Sequence, residues 1–453
     1  MPSYISRKYT FEVGQKLYSE YGDEYTITGL LGRGGQGEVY KVVGNGGEFA
    51  VKWYYADSYL KKINAAAFKS NLERNVENGL PTLSSGDSAT QFIWPLKMIK
   101  EQYGSFGYLM NLFPQGFEPL KNVIFGRKIN PVTGLKTDVR FESWFARVTA
   151  ALNIVRAFEI LHATGHSYQD VNDGGFSINM KTGDVFICDC DNVSPDKTNL
   201  GILGMKTFMA PEVVVGDKLP DHYTDEYSIA VILFRLFLHG HPMIGQESRM
   251  LHNSDQYTDK QSDLMIYGQF PHYCLASQNN VNPIDPKIDQ DVFRLSLTYP
   301  TVLMDAFEQI FTEGITDVYK RLTATEWRKV LLNVRDHIII NKDGFEQFCG
   351  KRFDDNIPEE CRIFNYRNKK KVYCMPGKIL YDYHFNERSR DFKKPIGKII
   401  TTSKPGVIGL YNAYGKDIII DFKGKKGICP DKGKIPLFKG MTLEVNNSKI
   451  NIT

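Results

Sequence analysis

The chain has 453 residues, 42% of them apolar and 24% charged, with a formal net charge of +4. That length exceeds one ordinary domain, and that balance excludes a disordered or fibrous chain, so two or three packed domains are expected. Seven cysteines, an odd number without C-x-x-C pairs, argue against a disulfide framework or a zinc site. No charged start leads into an apolar run near Met1, and the most apolar stretch, 229–238, is short and carries Arg235. A cytoplasmic protein without membrane contact is therefore expected. The charge is uneven. Residues 341–453 hold about 23 Lys/Arg against about 13 Asp/Glu, so the excess is basic and lies in the tail, in runs such as Lys369-Lys370-Lys371. No nucleic-acid partner is expected from it.

In chain order, alternating apolar residues cut by glycines predict strands over 25–31, 38–43 and 48–54. Ala65, Phe68, Leu72 and Val76 then recur at helical spacing, and Asn78-Gly79-Leu80-Pro81 stops that helix. Two more strands are predicted over 92–99 and 106–112. From Phe141 the period turns helical: Trp144, Val148, Leu152, Val155, Phe158 and Leu161 mark a long amphipathic helix. The stretch 227–238 is apolar nearly all round and predicts a buried helix. Loop with short helix is expected over 241–291, and further helix over 293–313 and 324–334. Beyond about 350, alternating runs at 398–402, 407–411, 418–422, 442–445 and 450–453 predict a small all-β domain.

Short motifs stand in a fixed order along this frame. Gly32-Arg33-Gly34-Gly35-Gln36-Gly37-Glu38-Val39 has glycines where backbone N–H groups can approach phosphates without obstruction. Phe49-Ala50-Val51-Lys52 places a lysine fifteen residues after Gly37. Tyr168-Gln169-Asp170 and Asp189-Cys190-Asp191 put two aspartates 19 residues apart with apolar residues 185–187 between them. Met209-Ala210-Pro211-Glu212 and Arg321 complete the series.

This series resembles that of a eukaryotic-type (Hanks-type) Ser/Thr protein kinase over roughly residues 20–335, about 70% of the chain. The resemblance implies an α+β, bilobal kinase-like fold followed by the small all-β domain. The implied divisions are an ATP-binding N-terminal lobe at 1–113, a helical lobe at 114–340 with the catalytic and metal loops, and a basic β domain at 350–453. It implies ATP and Mg²⁺ as cofactors and a protein hydroxyl as acceptor. Gly32, Gly34, Gly35 and Gly37 would cradle the phosphates, and Val39 and Ala50 would floor the adenine pocket. Met110 would guard the back of that pocket, with Asn111, Leu112 and Phe113 meeting adenine. Lys52 would contact the α/β-phosphates, steadied by a helix carboxylate, Glu73 or else Glu77. Asp170 would be the catalytic base and Asp189 the metal ligand. Glu212 would pair with Arg321, and Asp225 would anchor the catalytic loop.

The pattern also departs from the family. Tyr168 and Gln169 replace its His and Arg, Asn172 its loop lysine, and Gly175 the asparagine that binds a second metal. Asn172 or Asp173 could substitute for that asparagine and Asp191 offers another carboxylate nearby; the expected set takes Asn172 in the catalytic loop and Asn172 and Asp191 as metal ligands. Losing the arginine argues against control by activation-loop phosphate. Ser194, Thr198 and Thr207 are candidate autophosphorylation sites. Tyr-Gln-Asp, Asp-Cys-Asp-Asn and Phe92-Ile93-Trp94-Pro95 together resemble a divergent bacterial branch, encoded beside a metal-dependent phosphatase and a von Willebrand A-type protein. The tail ending 437–445 resembles the last strands of a forkhead-associated module but lacks its Gly-Arg and Ser-x-x-His signatures. The alternatives are a nucleotide-binding pseudokinase whose β domain recruits partners, and nucleotidyl transfer from ATP.

Overall fold

The computed structural model describes residues 10–453 apart from 58, 131–132, 279, 342, 352–356, 360, 367–369 and 387. Lys369, first of the basic tail run, lies outside the described residues. Six antiparallel strands open the chain: β1 (Lys16–Tyr18), β2 (Glu24–Arg33), β3 (Gly37–Gly44), β4 (Gly47–Tyr54), β5 (Pro95–Gln102) and β6 (Ser105–Asn111). They pair in the order β1-β2-β3-β4-β6-β5. Because side chains alternate along a strand, the sheet sorts its apolar residues onto two faces. Tyr40, Val42, Val51, Trp53 and Leu109 form one cluster. Ala50, Tyr54, Met98, Tyr108 and Met110 form the other, together with Phe68 and Leu72 of helix α1 (Ala65–Asn78). Asn64 caps that helix by accepting from the Ala67 N–H, and Gly79, at φ 70°, ends it. Lys52 shares the face of Ala50 and Tyr54 and so is aimed at α1 and the lobe below.

The second lobe is built on the helix Trp144–Ala163, capped by Ser143, and the helix His222–Leu238, capped by an Asp221/Thr224 box. Both are enclosed along almost their whole length, as their apolar sequences require. Thr301–Phe311 and Ala324–Asp336 pack onto the same core. The single helix expected over 293–313 is broken into Gln290–Ser296 and Thr301–Phe311. Pro300 lacks the N–H an uninterrupted helix needs and disfavours helical geometry at Tyr299. Two small pairings set the functional loops. His166–Ser167 pairs with Ser194–Pro195, and Phe176–Ile178 pairs with Val185–Ile187 and Glu118–Pro119.

The chain ends in two antiparallel sheets. One runs Lys370–Cys374, Arg362–Tyr366, Ser448–Ile452, Met441–Val445, Ile418–Phe422, Lys425–Cys429. The other runs Ile379–Tyr381, Pro395–Thr401, Ile408–Asn412, Lys434–Pro436. Phe364, Val372, Ile399, Leu410, Leu443 and Ile450 fill the space between them. This β region is bolted to the helical lobe. Tyr381, Tyr383 and Phe392 join the helical core. Buried Asp336 accepts from Tyr366 Oη and Tyr383 Oη, both at 2.5 Å. The Arg335 guanidinium lies between the rings of Phe145, Tyr381, Tyr383 and Phe392 at 4.5–5.4 Å. Lys378 Nζ donates to the carbonyls of Arg335, Asp336 and Ile338 at 2.8–3.2 Å, closing the C-terminal end of Ala324–Asp336.

Candidate active site

The glycine turn between β2 and β3 lies over the lysine of β4. At Gly37 an added Cβ would stand 2.0 Å from the Trp53 carbonyl, so only glycine allows β3 and β4 to approach there. At Gly32, Gly34 and Gly35 a Cβ would meet nothing within 4 Å. Close packing therefore explains Gly37, whereas the other three leave an unobstructed backbone cradle, which fits a polyphosphate. Below it, Ala50 pairs with Met110 across β4 and β6, and Val39 pairs with Lys52 across β3 and β4. Val39, Ala50, Met110, Leu112 and Phe186 share one apolar cluster, while Asn111 and Phe113 are exposed beside it. Met110 is thus buried behind, with Leu112 half-buried and Asn111 and Phe113 exposed. Phe186 was missed because one aromatic in a three-residue strand carries no periodic signal.

Lys52 is almost wholly enclosed, and three oxygens meet its ammonium. Asp191 Oδ2 lies at 2.8 Å, Asp189 Oδ1 at 2.9 Å and Gln36 Oε1 at 2.9 Å. Burial works against the charged amine, but the Asp189 and Asp191 carboxylates outweigh it and hold its pKa well above the ordinary lysine value. The expected helix partner is corrected here. Glu73 pairs instead with Lys69 at 3.5 Å, and Glu77 is exposed. Helix α1 turns Phe68 and Leu72 inward and presents Asn71 and Asn75, whose amides both donate to the Val193 carbonyl at 2.7 and 2.8 Å.

Asp189 stands in a left-handed backbone conformation, φ 59°, at the head of a short turn. Gln169 is left-handed as well, at φ 71°. Such conformations cost energy for non-glycine residues and are held by their surroundings at functional sites. The catalytic loop is fixed from beneath by Asp225, which accepts the Tyr168 N–H at 2.6 Å and the Gln169 N–H at 2.9 Å. That anchoring is as expected. The Glu212–Arg321 pair is also present, bidentate at 2.7 and 2.9 Å.

Asp170 is raised from the usual carboxylate value to about 6. Burial is the main cause; the Asn172 hydrogen bond opposes it, and Asp189 and Asp191 add to it. Asn172 Nδ2 donates to Asp170 Oδ1 at 3.0 Å, and its Oδ1 accepts the Gly174 N–H at 2.9 Å. Both ends of this amide are therefore engaged, its Nδ2 with Asp170 and its Oδ1 with Gly174, so a metal-ligand role for Asn172 rests on the second lone pair of Oδ1. Asp191 Oδ2 is likewise committed, to Lys52 and Tyr54 Oη. Its Oδ1 is enclosed and has no hydrogen-bond partner among the described residues, so a metal-ligand role for Asp191 rests on that atom alone. Asp189 is more open, with 39% of its side chain exposed, which suits a group that must reach a hydrated cation.

The family departures form one packed unit. Tyr168 stacks on Phe92 and donates to the Cys188 carbonyl. A Cβ at Gly175 would stand 3.2 Å from Tyr168 Oη and 3.6 Å from that same carbonyl. A side chain at residue 175 would thus crowd the tyrosine hydroxyl, and the glycine leaves that hydroxyl its room. Gln169 Nε2 donates to Ser194 Oγ at 2.7 Å and to the Thr198 carbonyl at 2.5 Å. Asn199 donates back to Gln169 Oε1 at 3.3 Å. Ser194 is fully buried in this arrangement, which sets it aside as a modification site in this conformation.

A family model described as protein kinase domain matches residues 25–327. The chain belongs to the protein kinase family. Among curated proteins it is similar to protein kinase gsk31 of Schizosaccharomyces pombe, 30% identical over 104 residues. That match covers 22% of this chain and 26% of the relative, so the chain spans about a quarter of the curated kinase it matches. Among solved structures it is similar to the Mycobacterium tuberculosis PknI kinase domain, crystallised as a double mutant. The two share 17% identity at a TM-score of 0.43, over 72% of this chain and 99% of that one. The matched family segment contains the glycine turn, Lys52, Asp170, Asp189 and the Glu212–Arg321 pair. No helix among the described residues is long and apolar enough to cross a membrane.

Proposed function

We propose that this kinase is ATP- and Mg²⁺-dependent and transfers the γ-phosphoryl group to Ser/Thr hydroxyls of a protein, its own chain included. The observation that carries this reading is the convergence of Lys52, Asp189 and Asp170. The lysine contacts Asp189 directly, and Asp170 senses the charge of both. The glycine cradle would receive the phosphates, Lys52 would hold the α/β-phosphates, and Val39, Ala50, Met110 and residues 111–113 would hold adenine. Asp189 would hold Mg²⁺, which supplies charge neutralisation of the phosphates when bound. Asp170, held by Asn172, would orient the acceptor hydroxyl and take its proton.

The proposed organisation is an N-terminal lobe at 1–113, a helical lobe at 114–340 and a β domain at 350–453 that recruits the protein substrate. A phosphatase and a von Willebrand A-type protein are the proposed partners of a bacterial, cytoplasmic enzyme. The test is incubation with γ-labelled ATP and Mg²⁺ beside Asp170→Asn and Asp189→Asn. Label in the wild type and in neither variant supports the reading. ATP-dependent thermal stabilisation with no label from γ- or α-labelled ATP would instead assign a nucleotide-binding scaffold.

A further inference from the structure

We propose that Asp191 is the positioning residue for Lys52, doing from the metal loop what a helix glutamate does elsewhere in the family. The inference rests on the kinase reading for its consequence and on contact geometry for its substance. The Lys52 side chain is 7% exposed and that of Asp191 is not exposed at all. An ammonium enclosed to that degree needs an anion that stays with it. Asp189 is the other anion in contact, but it is partly open to solvent and is the residue proposed to turn toward the metal. Gln36 is neutral and sits on the glycine turn that must yield to phosphate. Asp191 alone of the three is both charged and sealed.

Asp191 is also held from two sides. Tyr54, two residues beyond Lys52 on β4, donates its hydroxyl to the carboxylate oxygen that meets the ammonium. Tyr54 is itself locked by ring contacts to Tyr59, Phe68 and Phe106. From the other side, Asn71 and Asn75 of α1 grip the Val193 carbonyl, two residues after Asp191. The helix therefore places the carboxylate by holding its loop, not by carrying it. Its own nearest candidate, Glu73, is engaged with Lys69 on the outer surface. One loop thus holds both the metal-binding aspartate and the lysine's partner. A movement of α1 would therefore reach the carboxylate only through residues 189–193.

The test uses the full chain, with γ-labelled ATP, casein as acceptor, and Mg²⁺ varied to saturation. Asp191→Asn should lower kcat about 100-fold, the scale of a misplaced phosphate-binding group, with the Mg²⁺ half-saturation unchanged. Asp191→Glu should recover part of that loss, and Glu73→Gln should stay within about twofold of wild type. A second arm needs no turnover: ATP affinity without Mg²⁺, read by isothermal titration calorimetry, should weaken about tenfold in Asp191→Asn as Lys52 loses its placement, and stay within about twofold in Glu73→Gln. Should Asp191→Asn fail to fold, Tyr54→Phe takes its place, with a smaller loss of ATP affinity and an intact melting transition. A loss fully repaired by high Mg²⁺ would overturn the proposal by making Asp191 a metal ligand. Unchanged ATP affinity in Asp191→Asn, or an equal loss in Glu73→Gln, would overturn it too. A wild type that transfers no phosphate counts against the kinase reading and leaves the ATP-binding arm to decide the pairing.

Discussion

Raising the pH should switch on phosphoryl transfer as Asp170 loses its proton, and removing the Asn172 amide should displace that switch. Asp170 stands at about 6 against an ordinary value of 3.8. That is about 2 pH units, or about 3 kcal/mol of added cost for ionising the carboxyl in place. Burial raises it, and the Asn172 hydrogen bond at 3.0 Å, made to the charged form, works the other way. A hydrogen bond to a charged group contributes about 1.5–3 kcal/mol, which corresponds to about 1–2 pH units. The base acts deprotonated, so kcat/KM in the wild type should rise with pH through about 6 and then level. In Asn172→Ala the same limb should lie about one unit higher. The variant should therefore be about fivefold slower at pH 6, approaching tenfold at pH 5, and near wild type at pH 8.5, where both bases are ionised. The assay is kcat/KM for γ-phosphoryl transfer from pH 5 to 9 at fixed ionic strength. A limb unmoved in Asn172→Ala, or a uniform loss across all pH, would refute the reasoning. Either result would mean that the amide does not tune the base.

Three further outcomes follow from the packing. Arg321→Leu leaves Glu212 without its bidentate partner and should cost about 3–5 kcal/mol in urea unfolding; a loss under about 1 kcal/mol would contradict the pair's structural role. Gly175→Asn should not restore the family site, because its Cβ is driven against Tyr168 Oη; a cost of about 1–3 kcal/mol is expected, largely relieved in the Tyr168→Phe background, and the double-mutant cycle reads that coupling. Gln169→Ala removes the donors to Ser194 and Thr198, so amide hydrogen exchange over 194–199 should accelerate about tenfold, with little change in the rest of the helical lobe.

The tail makes a separate expectation measurable. Lys378→Met removes three donors from the carbonyls closing Ala324–Asp336, at a junction that also holds Arg335 among four rings. The variant should lower the thermal midpoint of the β region and the helical lobe together, by several degrees. Two separated transitions in the wild type would show that the junction does not couple them.

Much of this molecule is written in local pattern. Alternation marked the first-lobe strands because each buries one face, and the 3.6-residue period marked Trp144–Ala163, which the fold buries on nearly every side and not along one stripe alone. The glycine turn, Lys52, Asp170 and Asp189 were legible as fixed residue types at fixed spacing, since their chemistry tolerates few substitutes. Five tail strands were legible, whereas Arg362–Tyr366, Lys370–Cys374 and Lys425–Cys429 were not: the last two open on paired lysines, and the first joins its sheet through Ser448–Ile452, far along the chain. What the sequence could not decide was which carboxylate meets Lys52. The sequence offered Glu73 or Glu77 for that place and Asp191 only as a metal ligand; the rotation of α1 and the sealing of Asp191 against Tyr54 bring Asp191 there instead. Likewise the nearness of Tyr168 Oη to Gly175 was visible only in the fold. Residue types and spacing determine the chemistry on offer. Charge partners and steric room are properties of residues far apart in the chain, so the tertiary structure decides them.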